Sequence, residues 1–219
     1  MKKFTYIIAL IVLNLFVSKL VLANEPSALD ISVDDFMIGD ENAPITIIEY
    51  ASMSCSHCAN FHTNTLPELK KEYIDTGKVR MIFRDYPFNY PALLGSMMMR
   101  CIPSDVRYDY MNALYELQTT WVDKDPKVSK KELYKIMQSG GMTKDEFDSC
   151  YSNLDNENLI LEGVMAAQKE FNIKSTPSFK IAFALLSSSG PAPTAAPIIK
   201  LFLFTFLISL ICFFTFKFL

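Results

Sequence analysis

The chain lacks several features that would direct it toward other functions. It has no excess of positive charge: 21 Lys and Arg stand against 24 Asp and Glu, for a formal net charge of -3. That removes the basic footprint of a nucleic-acid-binding protein. It has no internal repeat, which sets aside solenoids and propellers. Beside its one Cys-x-x-Cys it has no second such motif and only two histidines in 219 residues, so the usual ligand spacing of a tetrahedral zinc site is incomplete. Half of the residues are hydrophobic, but much of that excess sits at the two ends. The middle reads as an ordinary soluble domain with room for a substantial core.

What is present centres on Cys55-Ser56-His57-Cys58. The run Ile45-Thr46-Ile47-Ile48-Glu49-Tyr50 before it reads as a strand, and residues 59–73 after it as a helix. Two cysteines three apart at a helix start lie on one face within bonding reach. The first also feels unpaired N–H groups and the macrodipole, which favour a thiolate. Those are the requirements for a dithiol that cycles with its disulfide. Half of a zinc site, or two buried thiols, are the other readings of the motif alone. Cys55, nearest the helix start, is expected to be the attacking sulfur, and Cys58, one turn inside, the resolving one.

Around this motif the chain divides as follows. Lys2-Lys3, an apolar run from Phe4 to Leu22 and the small residue Ala23 fit a secretory signal peptide over residues 1–23; an uncleaved anchor is the alternative. Either takes the following domain, residues 24–186, out of the cytoplasm. Phe36-Met37-Ile38 reads as a first strand. Pro44 opens the second, where its missing N–H does little harm. The helix after Cys58 should turn Phe61, Leu66 and Leu69 inward and kink at Pro67. Gly77 closes that unit, and Val79 to Phe83 reads as the next buried strand. Strand, helix and strand in this order form a parallel βαβ unit. From about 91 to 172 only helices are expected. Ser129-Lys130-Lys131-Glu132 and Thr143-Lys144-Asp145-Glu146 both match a capping box, and Gly140-Gly141 stops the helix between them.

These residues together resemble the DsbA family, within the thioredoxin-like fold. The resemblance is carried by Gly39-Asp40-Glu41-Asn42-Ala43-Pro44, the strand with Glu49, the Cys55–Cys58 motif, Val79-Arg80-Met81-Ile82-Phe83-Arg84-Asp85-Tyr86-Pro87, and Ser175-Thr176-Pro177-Ser178-Phe179. It covers roughly residues 34 to 180, with the helical insertion in the family's place. It implies an α/β thioredoxin-like fold and a protein-disulfide oxidoreductase without cofactor or metal. It also implies a cis bond before Pro177, with Thr176 presenting its backbone to an extended substrate. The implied partners are thiol-containing secreted proteins and a quinone-linked membrane protein that restores the disulfide; the implied compartment is the periplasm. A reductase or isomerase kept reduced, and an inactive membrane-tethered remnant, are the rival readings.

A helix terminus contributes about 0.3–1 kcal/mol, roughly 2 when partly buried. At about 1.36 kcal/mol per pKa unit, it lowers a thiol by about one, too little for a strong oxidant. His57 is the expected additional donor to the Cys55 thiolate. Family members often carry proline where Ser56 stands; Ser56 supplies a hydroxyl in place of proline's rigidity. Glu49 matches a buried family glutamate that assists proton movement at the inner sulfur. The lysine that partners it in the family is not evident, because Phe83 stands near that place. Cys101 and Cys150, both in the insertion, either pair as a second disulfide, as in some family members, or remain free; a closed loop of that size stabilises by roughly 4 kcal/mol in the chain-entropy model.

The C-terminal end departs from the resemblance. The closing edge strand and helix appear in the sequence as missing or replaced. A small-residue linker spans 187–197, and an apolar tail, with Cys212 in it, spans 198–219. That tail is read either as a membrane anchor making contact with the bilayer or as an altered reading frame.

Overall fold

The computed structural model describes residues 29, 31–32 and 34–183. The expectations of a signal peptide, a linker, an apolar tail and a missing closing strand and helix fall on residues outside these.

Strand β1 (Phe36–Ile38) runs into a tight turn that only glycine can start. Gly39 has φ +98°, and a Cβ there would lie 2.8 Å from Ile74 Cγ2 and 2.9 Å from the Val79 carbonyl oxygen. The Asp40 carboxylate accepts from the Asn42 N–H at 2.8 Å and holds the turn. Strand β2 (Ile45–Ala51) then enters the middle of the sheet, buried along nearly its whole length. Its β-branched residues suit a strand covered on both faces.

A helical path over 56–74 follows: α1 (Ser56–Asn60), a π-helical turn (Phe61–Thr65), α2 (Leu66–Leu69) and a second π-helical turn (Lys70–Ile74). Pro67 sits in the first turn of α2, where its missing N–H interrupts no α-helical bond; widened turns take the place of a simple kink. Phe61, Leu66 and Leu69 face inward. Strand β3 (Val79–Asp85) returns parallel to β2 and pairs antiparallel with β1 on its other side.

The insertion consists of α3 (Tyr90–Cys101), α4 (Arg107–Glu116), α5 (Gln118–Trp121), α6 (Pro126–Ser139), α7 (Lys144–Tyr151) and α8 (Leu154–Phe171). The capping box at Thr143 and Glu146 forms, with both reciprocal bonds present. The one expected at Ser129 does not. Asp125 caps α6 with Pro126 behind it, one turn earlier, and Ser129 is buried in that helix, bonded to Asp123. An Asp-Pro pair satisfies the orphan donors before a serine three residues on can do so. Strand β4 (Ser178–Phe183) pairs antiparallel with β2, giving the order β1-β3-β2-β4.

Two apolar layers cover the sheet. Ile48 and Tyr50 join Ile82, Tyr86 and Ala167 of α8 on one side. The larger cluster gathers Leu114, Trp121, Leu133 and Phe147 of the insertion around Met53 and Cys58, so the insertion packs directly against the Cys-x-x-Cys turn. Cys101 and Cys150 form a disulfide between α3 and α7 across 49 residues, with Cα atoms 6.3 Å apart. Among the described residues no helix is long and apolar enough to cross a membrane.

Candidate active site

Strand β2 aims the chain at the site. Ala51 ends it, a turn closes with the Cys55 N–H donating to the Ser52 carbonyl at 3.0 Å, and Cys55 becomes the residue that precedes α1. Cys55 is therefore half-exposed, while Cys58, one turn on, has no accessible surface. Both are free thiols.

The Cys55 thiol is held down to about 5, chiefly by the hydrogen bond from the Cys58 thiol. The Thr176 side chain and the backbone N–H groups of Cys58 and His57 add to this, against the opposing effect of burial. The two N–H groups are the unsatisfied donors of a helix's first turn, which a capping acceptor normally takes. The Cys58 thiol is pushed far up, because its proton is engaged by Cys55, it is buried, and Glu49 is near. One sulfur is poised as a nucleophile and the other holds its proton. The stabilisation needed beyond the helix terminus comes first from Cys58. His57 contributes its backbone N–H, and both it and Ser56 are exposed.

The chain before β4 reaches the same place. The Thr176–Pro177 bond is cis, and the Thr176 carbonyl oxygen lies 3.3 Å from Cys55 Sγ.

Glu49 lies beneath, fully buried in the central strand between Phe83 of β3 and Phe179 of β4. Strand alternation turns it away from Ile48 and Tyr50, toward the helical path. Arg84 is committed elsewhere, in a two-point pair with Asp35 and a bond to the Tyr50 hydroxyl. The partner of Glu49 is His62, whose Nε2 is 3.0 Å from Glu49 Oε2. His62 stacks on Tyr115 with centroids 4.1 Å apart. The sequence offered a signal for this: His62 is four residues after Cys58, hence on the same helix face.

Gln118 is a second residue that sequence reasoning missed. Its side-chain amide donates to the Met53 carbonyl at 2.9 Å and to the Cys55 carbonyl at 3.1 Å. It ties the insertion to the turn carrying the sulfurs. Gln118→Leu would leave a buried carbonyl unpaired and is expected to cost about 1–3 kcal/mol, read as a lower denaturation midpoint at unchanged slope.

Comparisons with known proteins point one way. The thioredoxin family model Thioredoxin_4 matches residues 32–187. A Rickettsia bellii protein carrying a protein-disulfide oxidoreductase name is 30% identical over 154 residues, 68% of this chain and 57% of that one. The chain thus spans little more than half the length of the curated relatives it first matches. The crystal structure of Wolbachia pipientis alpha-DsbA1 superposes with a TM-score of 0.69 at 30% identity, covering 76% of this chain and 84% of that one. Oxidised BdbD from Bacillus subtilis shares the fold at a TM-score of 0.58 and 22% identity, over 75% of this chain and 91% of that one. With its reactive-pair geometry, cis-proline turn and helical insertion, this chain belongs to the DsbA-like family of the thioredoxin fold.

Proposed function

We propose that the protein is an exported protein-disulfide oxidoreductase that donates its Cys55–Cys58 disulfide to secreted proteins. The observation that carries this reading is the division of labour between the sulfurs: Cys55 is half-exposed and held down to about 5, while Cys58 is buried and keeps its proton. Stabilising the reduced pair in this way makes the disulfide more oxidising.

In the proposed reaction a substrate thiolate attacks Cys55 Sγ and the Cys55–Cys58 bond breaks. Cys58 leaves as a thiolate and takes up a proton, with the buried Glu49 near enough to act on that sulfur. A second substrate thiolate attacks the substrate sulfur of the mixed disulfide and expels Cys55 as a stabilised thiolate. The substrate loses two electrons and the site gains them. Thr176, whose carbonyl sits beside Cys55 Sγ and precedes the cis Pro177, presents backbone to the incoming chain. A quinone-linked membrane protein would restore the disulfide, and the N-terminal Lys2-Lys3 and apolar run support export to the periplasm.

The test is a redox titration of the full chain in detergent against glutathione buffers, trapping thiols by alkylation and reading them by mass. A single two-electron transition at Cys55–Cys58, more oxidising than glutathione, is expected. A strongly reducing transition would make the protein a reductase instead, and no transition would make the motif a relic.

A further inference from the structure

We propose that the cavity between the sheet edge at β1 and the helical insertion is a second binding site, which takes a small organic monocarboxylate with an aromatic or branched aliphatic body. None of Cys55, Thr176 and Pro177 lines it. The site is separate from the exchange chemistry proposed above and does not depend on it.

The cavity follows from the strand lengths. β1 has three residues and pairs only with Met81, Ile82 and Phe83 of β3. β3 runs on through Arg84 and Asp85 with no β1 residue opposite, and residues of α3, α4 and α8 close over the gap. The result is a cavity of about 440 Å³, within the range of small-molecule sites. Phe36 and Phe83, whose rings stack with centroids 5.5 Å apart, form one apolar wall, and Met99, Met111 and Ile160 supply others.

Against these walls stand polar groups with unused bonding capacity. Arg107 donates from Nε and one amino group to the Ile102 carbonyl, at 3.0 and 2.8 Å, and lies over the Phe36 ring. It has no carboxylate partner among the described residues. Arg100 Nε is buried and 3.3 Å from the Asp85 carboxylate, yet makes no hydrogen bond. His62 lines the cavity at only 3% exposure, and its Nδ1 has no partner either. Buried polar atoms are rarely left so, and several around one space call for a ligand or a water.

The charges decide the ligand's sign. Arg84 pairs with Asp35, and Arg100 with Asp85. Arg107 is left as the unmatched charge inside. Burial and the like charge of Arg100 disfavour its cation, and Asp85 offsets them only in part; an anion seated against it relieves both. A carboxylate is the anion whose geometry a guanidinium matches. Exposed Asp34 and Glu162 also line the cavity and repel a more highly charged anion, so one negative charge fits where a phosphate does not. The ligand's body lies along the Phe36–Phe83 wall, where ring contacts add to the gain from burial.

The experiment titrates the full chain, isotope-labelled at its methionine methyls and held in non-ionic detergent, with phenylbutyrate and with neutral phenylbutyramide, followed by NMR. Met99 and Met111 line the cavity, whereas Met142 and Met165 do not. Saturable shifts are expected at the Met99 and Met111 methyls and none at Met142 and Met165, with the amide binding at least about tenfold more weakly than the acid. Arg107→Gln should weaken phenylbutyrate to the level of the amide and leave the amide unchanged, a selective loss that a merely loosened fold would not produce. Ala166→Trp, at an exposed position of α8 that lines the cavity, should weaken both. Equal affinity for acid and amide, shifts that do not saturate or that spread to Met165, or undiminished binding of the acid in Arg107→Gln would each overturn the proposal.

Discussion

Cys58→Ala is expected to bring thiol–disulfide turnover down to background while leaving the protein covalently joined to its substrates. Without the inner thiol nothing can attack the mixed disulfide from within, and release depends on an external thiolate alone. The adducts should run through Cys55 rather than Cys101 or Cys150, which are bonded to each other, and the Cys55→Ala control separates any adduct made at Cys212. Non-reducing gels of cells expressing Cys58→Ala, followed by reduction in a second dimension, check this. Cys55→Ala should give no adducts. Adducts of equal abundance in both variants would remove Cys55 from the role of attacking sulfur.

The second large effect is a thiol that ionises about three or more pH units early. With Cys55 held near 5, its alkylation rate should rise with pH only to about 6 and then stay flat, whereas an ordinary thiol keeps rising to about 8.5. The same feature couples to stability, with a definite sign. Between about 5 and 9 the unfolded chain binds more protons at Cys55 than the folded one, so the stability of the reduced form rises with pH across that window. It is complete above the unfolded value and lost as pH falls through the folded one. The window at pH 7 corresponds to at most about 3 kcal/mol, and roughly 1–2 after solvent screening of a half-exposed sulfur. That is equivalent to about 20–45 mV of added oxidising power. Denaturation of the reduced and oxidised forms at neutral pH and again at pH 4 should show the reduced form losing this advantage in acid. An unchanged difference would mean that the Cys55 thiolate is not what stabilises it.

The elements legible in the sequence were those whose pattern is local. Strands β2 and β3 could be read from short β-branched runs, and Gly77 and Gly140-Gly141 as stops; Gly77 and Gly141 do adopt positive φ. Thr143 and Glu146 gave a capping box because nothing upstream competed, whereas Asp125-Pro126 displaced the one at Ser129. The helical stretch from Arg107 to Trp121 divides at Leu117, which no helix-breaking residue announced. The site was legible where it is contiguous, at residues 55–58, and where the family resemblance placed Pro177. It was not legible where a contact depends on the packing of distant elements. Gln118 reaches the Cys55 carbonyl across 63 positions. His62 meets Glu49 only because β2 and the helical path bring their inner faces together.

Cys58 sits in α1 with no accessible surface, packed in the cluster that the insertion builds around it with Met53, Leu114 and Trp121. Reaching that sulfur from solvent means opening this packing between the insertion and α1. Cys58 in the reduced protein is thus an internal gauge: the rate at which a neutral alkylating reagent marks it reports how often that packing opens, while Cys55, one turn away, reports only on chemistry.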